Sequence, residues 1–229
     1  MTSIPSHIRA VFFDVVGTVL FPNPGAPIIY ADVARRRGLD LSITDIRVRF
    51  IQAYNTQEEI DRAAGWVTSE DREECRWRSI VAATLRGVSD PEACFQELYA
   101  HFANPSSWSV GDDTGRVIAE LVERGIVVGL GSNYDSRLWS VLEGFPALAP
   151  LRERTIISSV VEYRKPAVEF FQNVVRVAAC EPGEVLFVGD DLANDYSGAI
   201  AAGLDARLLD ESHRYSISNR IERLTDLIA

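Results

Sequence analysis

Lysine is almost missing from this chain of 229 residues: of its 23 basic side chains only Lys165 is a lysine, and the others are arginine. A sequence that meets nearly every need for positive charge with guanidinium has a reason to keep one compact ammonium, so Lys165 is marked as a chemical choice. Cysteine is scarce as well. Cys75, Cys94 and Cys180 are odd in number and lack a CxxC pair, and His7, His101 and His213 are scattered among them. This excludes a disulfide framework and a zinc site of the usual spacing. No apolar run reaches the ~20 residues that span a bilayer; the longest, residues 8–21, is broken by Arg9 and Asp14. The buried-run aspartate also argues against a secretory leader, so a cytoplasmic location is expected. Positive charge is in deficit, with a formal net charge of −10 and a pI near 4.8, which disfavours nucleic acid and anionic membrane as partners. A small anionic ligand would need a local positive device.

What is present is ordinary globular composition, 47% hydrophobic and 24% charged. The length exceeds the roughly 100 to 150 residues of a typical domain, so a large domain, or a core with a satellite, is expected. Residues 10–13 read as a buried strand ending at Asp14. Residues 21–27 hold three prolines and a glycine and are expected as a linker that continues neither strand nor helix. From about 28 to 101 the apolar spacing is helical, with Glu58 and Arg62, and Glu74 and Arg78, placed for i,i+4 pairs, which predicts an all-helical insert. Beyond Asn104-Pro105 the pattern alternates. It predicts helix 114–124 with Asp112 and Asp113 as caps, strand 126–131, a short strand from 156, and a helix from Pro166. Strand 184–188, helix 195–202 and strand 204–209 complete the series. Strands separated by helices predict an α/β, Rossmann-like core, with a parallel sheet and helices on both faces.

In open parallel sheets ligands bind beyond the carboxyl ends of the strands. Residues collected there are Asp14 with Thr18, Ser132 with Asn133, Lys165, and Asp190-Asp191 with Asp195. Three carboxylates, a hydroxyl and an ammonium at one edge suit a hard cation such as magnesium facing a phosphate, with one aspartate free to attack. Helix capping is the competing job for Asp190 and Asp195, although two caps beside Asp191 would be redundant.

Asp14-Val-Val-Gly-Thr18, Ser132 behind an apolar strand, Lys165-Pro166, and Gly189-Asp190-(x)4-Asp195-Tyr-Ser-Gly198 resemble the four ordered motifs of the haloacid dehalogenase superfamily. On this resemblance residues 1–20 and 105–229 form the core and 21–104 a helical cap. The stretches His101 to Trp108 and Gly131 to Leu138 are similar to one group within the superfamily. The resemblance implies that Asp14 is a nucleophile forming an aspartyl-phosphate and that Ser132 and Lys165 hold the transferring group. Gly17, Thr18 and Asn133 would join them around the phosphate. It also implies Mg2+ held by Asp14, the backbone carbonyl of Val16, Asp190 and Asp195. The implied partner is a small phosphorylated or anionic metabolite, and the oligomeric state is left open.

One position departs from the pattern. Phosphatases of the superfamily carry a second aspartate two residues after the nucleophile, as general acid and base, and here that residue is Val16, which cannot exchange a proton. The sequence leaves three readings: a magnesium-dependent phosphohydrolase for good leaving groups, a catalytically weak module that binds or regulates through a phosphorylated ligand, and a 2-haloacid dehalogenase. The acidic fourth motif argues against the last. In the insert, Tyr54, Arg62, Trp66, Trp77 and Arg78 are the polar-aromatic candidates for the face over the sheet edge. Cys75 and Cys94 are expected as buried small groups, and His101 as packing.

Overall fold

A computed structural model describes residues 4–229; residues 1–3 of the expected core lie outside the described residues. Strand β1, Ala10–Phe13, is buried on both faces. Its side chains alternate, as strand geometry requires. Val11 and Phe13 enter one core with Val128, Leu130 and Leu186, while Ala10 and Phe12 enter a second with Ile156, Phe170 and Phe187.

After β1 come β2 (Leu20–Pro22) and four helices, α1 (Ala26–Arg36), α2 (Ile43–Ala63), α3 (Glu70–Thr84) and α4 (Pro91–His101). Then follow β3 (Trp108–Val110), α5 (Thr114–Glu123), β4 (Val127–Ser132), α6 (Leu138–Glu143) and β5 (Thr155–Ile157). The chain closes with α7 (Ser158–Val161), α8 (Val168–Ala178), β6 (Val185–Gly189), a π-helical turn (Leu192–Ser197), α9 (Gly198–Ala201), β7 (Asp205–Leu209) and β8 (Arg220–Ile221). Six strands form one parallel sheet in the order β5-β4-β1-β6-β7-β8. Ala10 pairs with Val127 on one side and Val185 on the other, so β1, β4 and β6 end together, and Asp14, Ser132 and Asp190 emerge at one edge.

The insert helices begin where their sequences direct. Ser42, Ser69 and Asp90 each accept a backbone N–H of the first turn of α2, α3 and α4, as good N-caps do. The four helices enclose their own apolar cluster, including Val33, Ile46, Val81, Leu85, Phe95 and Leu98.

Several expectations need correction. Residues 21–27 are not a plain linker: Leu20–Pro22 pairs antiparallel with Trp108–Val110, and α1 starts at Ala26 with Pro27 in its first turn. Proline is tolerated both at the end of an edge strand and in a first helical turn, so three prolines did not forbid structure. Glu58 does not pair with Arg62; it bonds Arg76 and Arg164, while Arg62 lies over Trp66. The Glu74 to Arg78 pair forms, at 2.6 Å. Asp113 stands at the start of α5 but gives its carboxylate to Arg116 instead of the backbone. The helix after Pro166 begins only at Val168, and the expected helix 195–202 is a π turn followed by α9. Cys94 is buried, whereas Cys75 is exposed. Among the described residues no helix is long and apolar enough to cross a membrane.

Candidate active site

Asp14 continues the line of β1, its N–H donating to the Val188 carbonyl at 2.8 Å. The chain then turns sharply at Gly17, where φ is +100°, and a Cβ there would lie 2.8 Å from the Asp190 carboxylate. Only glycine suits both the left-handed backbone and that close approach. The Thr18 hydroxyl lies 3.4 Å from both Asp14 Oδ2 and Asp190 Oδ1 and can donate to either. On β6, a Cβ at Gly189 would overlap the Asp195 carboxylate, so the bare strand tip lets Asp195 fold back onto it.

Asp191 resolves the capping question. Its carboxylate accepts the N–H groups of Ala193 and Asn194, both at 2.8 Å, and so starts the π turn by itself. Asp190 and Asp195 are left for other work. The Lys165 ammonium donates to Asp14 Oδ1 at 2.5 Å, to Asp195 Oδ1 at 2.6 Å and to the Gly131 carbonyl at 3.1 Å, using all three of its protons. Asp14, Lys165 and Asp195 are 6%, 2% and 2% exposed, so this triad is buried.

Three carboxylates facing one ammonium leave two negative charges in excess when all are ionised, and the acidities reflect it. Burial raises the Asp14 carboxyl, with Lys165 pulling against it and Asp190 reinforcing it. Burial lifts Asp190 to about 6, aided by Asp195, and lifts Asp195 to about 7 against the pull of Lys165. Burial works against the Lys165 ammonium, but Asp14 and Asp195 outweigh it and hold it protonated. Asp14, Asp190 and Asp195 each offer an oxygen within 4.8 Å of the others. An all-oxygen donor set with surplus negative charge fits a hard divalent cation.

Asn133 lines the site, yet its side-chain amide is already spoken for. Oδ1 accepts the Lys165 N–H at 2.7 Å and Nδ2 donates to the Lys165 carbonyl at 3.0 Å, so it fixes the loop that carries the lysine. Arg164, the preceding residue, is buried and bonds Glu73 of α3. Around it Glu58, Asp61, Glu73, Arg72 and Arg76 form an ion cluster joining α2 and α3 to the lysine loop. Glu70 adds a second tie from α3 to the core, accepting from the Ser136 N–H at 3.0 Å and from its hydroxyl at 2.9 Å. None of these partners is within helical reach of the other in sequence, so the signal was invisible there.

Above the carboxylates lies a cavity of about 430 Å³. Its floor is Asp14, Val16, Ser132, Asn133, Lys165, Asp190 and Asp195. Its walls come largely from the insert and are aromatic: Tyr30, Phe50, Tyr54 and Trp77 on α1 to α3, Phe95 and Tyr99 on α4, and then Phe102, Trp108 and Tyr134. Of the insert candidates, Tyr54 and Trp77 reach the cavity. Arg62 and Trp66 stack on each other instead, and Arg78 lies over Phe95 with Glu74 and Glu92. His101 packs edge-on against Phe102.

A family profile of haloacid dehalogenase-like hydrolases matches residues 8–203. The chain is 31% identical to human haloacid dehalogenase-like hydrolase domain-containing protein 3, over 89% of its own length and 82% of the relative's. It is 23% identical to a glyceraldehyde 3-phosphate phosphatase of Methanothermobacter thermautotrophicus, over 94% and 92% of the two chains. An L-2-haloacid dehalogenase from Xanthobacter autotrophicus, solved with chloropropionic acid covalently bound, superposes with a TM-score of 0.72 at 17% identity, covering 96% of each chain.

Proposed function

The chain belongs to the haloacid dehalogenase-like hydrolase family, and from that premise we propose that it is a phosphohydrolase working through Asp14. The observation that carries the reading is the floor of the cavity: a carboxylate at a strand tip held by the only lysine of the chain, beside two further carboxylates that no second cation pairs with among the described residues. Asp14, Asp190 and Asp195, joined by the Val16 carbonyl as the family resemblance implies, would hold Mg2+, which when bound supplies positive charge for the phosphoryl oxygens. An Asp14 carboxylate oxygen attacks phosphorus, the bond to the leaving oxygen breaks, and water later cleaves the aspartyl-phosphate to phosphate and free Asp14. Lys165 aims Asp14 and opposes the effect of its burial, and its positive charge would offset that of the equatorial oxygens; Ser132, with Gly17 and Thr18, would complete the phosphate side.

Val16 sets the limit of this chemistry. It lines the cavity two residues beyond Asp14 and offers the leaving oxygen no proton. The supported reading is therefore a phosphohydrolase of substrates whose leaving group departs as a stable anion. A Mg2+-dependent phosphate-release screen tests it, with acetyl phosphate beside sugar and nucleotide monoesters and Asp14→Asn as blank. Acetyl phosphate turnover well above that of monoesters is expected. No turnover above the blank on any substrate would leave only a phospho-ligand-binding module.

A further inference from the structure

The walls of the cavity say more about the leaving group than its floor does. Six rings, Tyr54, Phe50, Tyr30, Phe102, Trp108 and Tyr134, run in unbroken contact along it, with centroid separations from 5.6 to 6.5 Å. Their polar ends are partly spent elsewhere: Trp108 Nε1 and the Tyr134 hydroxyl both donate to the Phe102 carbonyl, at 3.1 and 3.0 Å. Among the described residues the one cation that lines the walls, Arg137, has its charge matched by Asp135 and three of its five N–H groups committed. Its Nε and one terminal nitrogen clamp the two oxygens of Asp135, each at 2.7 Å, the other terminal nitrogen donates to the Tyr99 carbonyl at 2.7 Å, and its plane lies 3.3 Å from the centre of the Tyr99 ring. A second anionic group on a ligand would thus be buried among rings and have to compete with Asp135 for Arg137, which is costly, whereas a flat apolar group would pack edge and face against them.

Resting on the phosphohydrolase reading, we propose that the substrates are aryl phosphates, monophosphate esters of uncharged phenols. The missing proton donor and the aromatic walls then have one explanation. A phenolate, with a conjugate acid near pKa 10 as in tyrosine, leaves without protonation far more readily than an alkoxide. In the step, an Asp14 carboxylate oxygen bonds to phosphorus, the P–O(aryl) bond breaks with its electron pair going to the phenolate oxygen, and solvent protonates that oxygen. Water then attacks phosphorus and releases inorganic phosphate, restoring the Asp14 carboxylate.

Leaving-group reactivity and ring binding are separated by phosphonates, which cannot be hydrolysed. Titrations of the Mg2+-loaded protein, followed by tryptophan fluorescence, to which the wall residues Trp77 and Trp108 contribute, compare benzylphosphonate, methylphosphonate and 4-carboxybenzylphosphonate. Benzylphosphonate is expected to bind at least about tenfold more tightly than methylphosphonate, and the added carboxylate to abolish that gain. Phe50→Leu removes the ring that touches both Tyr30 and Tyr54 while keeping an apolar side chain, and is expected to shrink the benzyl-to-methyl ratio several-fold, an internal ratio that loss of folded protein cannot imitate. Equal affinity for the two phosphonates, tighter binding of the carboxylated one, or no binding of benzylphosphonate would overturn the proposal. Acetyl phosphate turnover without a benzyl preference would sink the aryl class alone. A benzyl preference in a protein with no turnover would sink the catalytic reading and retain the ligand class.

Discussion

Restoring a carboxylic acid at residue 16 should change the rate in a substrate-dependent way. Val16 is half-buried, bridges to Leu20 across the Gly17 turn, and lines the cavity beside Asp14. A carboxyl at that position would enter an environment already holding Asp14, Asp190 and Asp195, whose charges and burial favour its protonated form. That is the form a general acid needs. General acid catalysis contributes typically 10²- to 10⁴-fold, which is about 3 to 5 kcal/mol of barrier. Part of this is lost because the fraction of Val16→Asp that ionises repels the incoming phosphate. A rise of roughly 10- to 1,000-fold in kcat/KM is therefore expected for an alkyl phosphate, whose alkoxide needs the proton. Acetyl phosphate leaves as a carboxylate with a pKa near that of Asp or Glu, about 4, and should change less than about threefold. The assay is Mg2+-dependent phosphate release from both substrates, with circular dichroism to confirm folding and Asp14→Asn as blank. Equal gains on the two substrates, or none on the alkyl ester in a folded variant, would refute the claim that residue 16 limits ester hydrolysis.

The acidities of Asp190 and Asp195 predict how stability depends on pH. Their folded values, about 6 and 7, lie above the ordinary 3.8, so between pH 4 and 7 these two groups bind more protons in the folded than in the unfolded chain, and their contribution to the stability of metal-free protein should fall as pH rises through that window. Mg2+ competes with those protons, so thermal unfolding should show a larger Mg2+-induced rise in Tm at pH 8 than at pH 5; a rise independent of pH would count against carboxylate ligation. The buried ion cluster predicts a different loss: Glu73→Gln leaves the buried Arg164 short of its partner, at a cost of about 3 to 5 kcal/mol, or a fall in Tm of roughly 6 to 20 °C. A fall below about 2 °C would mean that Glu58 and Asp61 suffice for Arg164.

The parts that the sequence made legible share one physical cause. Buried parallel strands must be apolar on both faces, so a polar residue at the end of such a run announces a strand tip, and Asp14, Ser132 and Asp190 were found that way. Lys165 was found by composition. What escaped detection depends on contacts between segments distant in the chain. Glu58 was matched to the residue four positions on, but folding gave it Arg76, eighteen residues on, and Arg164 beyond that. The aromatic rings arise from α1 to α4 and the residue after α4, from β3 and from the loop after β4, and most read by themselves as helix or strand core residues. Only the assembled fold shows that they face a common space. The β2–β3 ribbon was missed because a three-residue pairing has no periodicity to detect and ends on a proline.

The central claim is that Asp14 carries the phosphoryl group. The most direct test is to react the protein with Mg2+ and isotopically labelled acetyl phosphate, quench in acid, and locate the label by peptide mass spectrometry. The account predicts a hydroxylamine-labile phosphoryl group on Asp14 that is absent from Asp14→Asn. Label at any other residue, or acetyl phosphate turnover that survives Asp14→Asn, would contradict it.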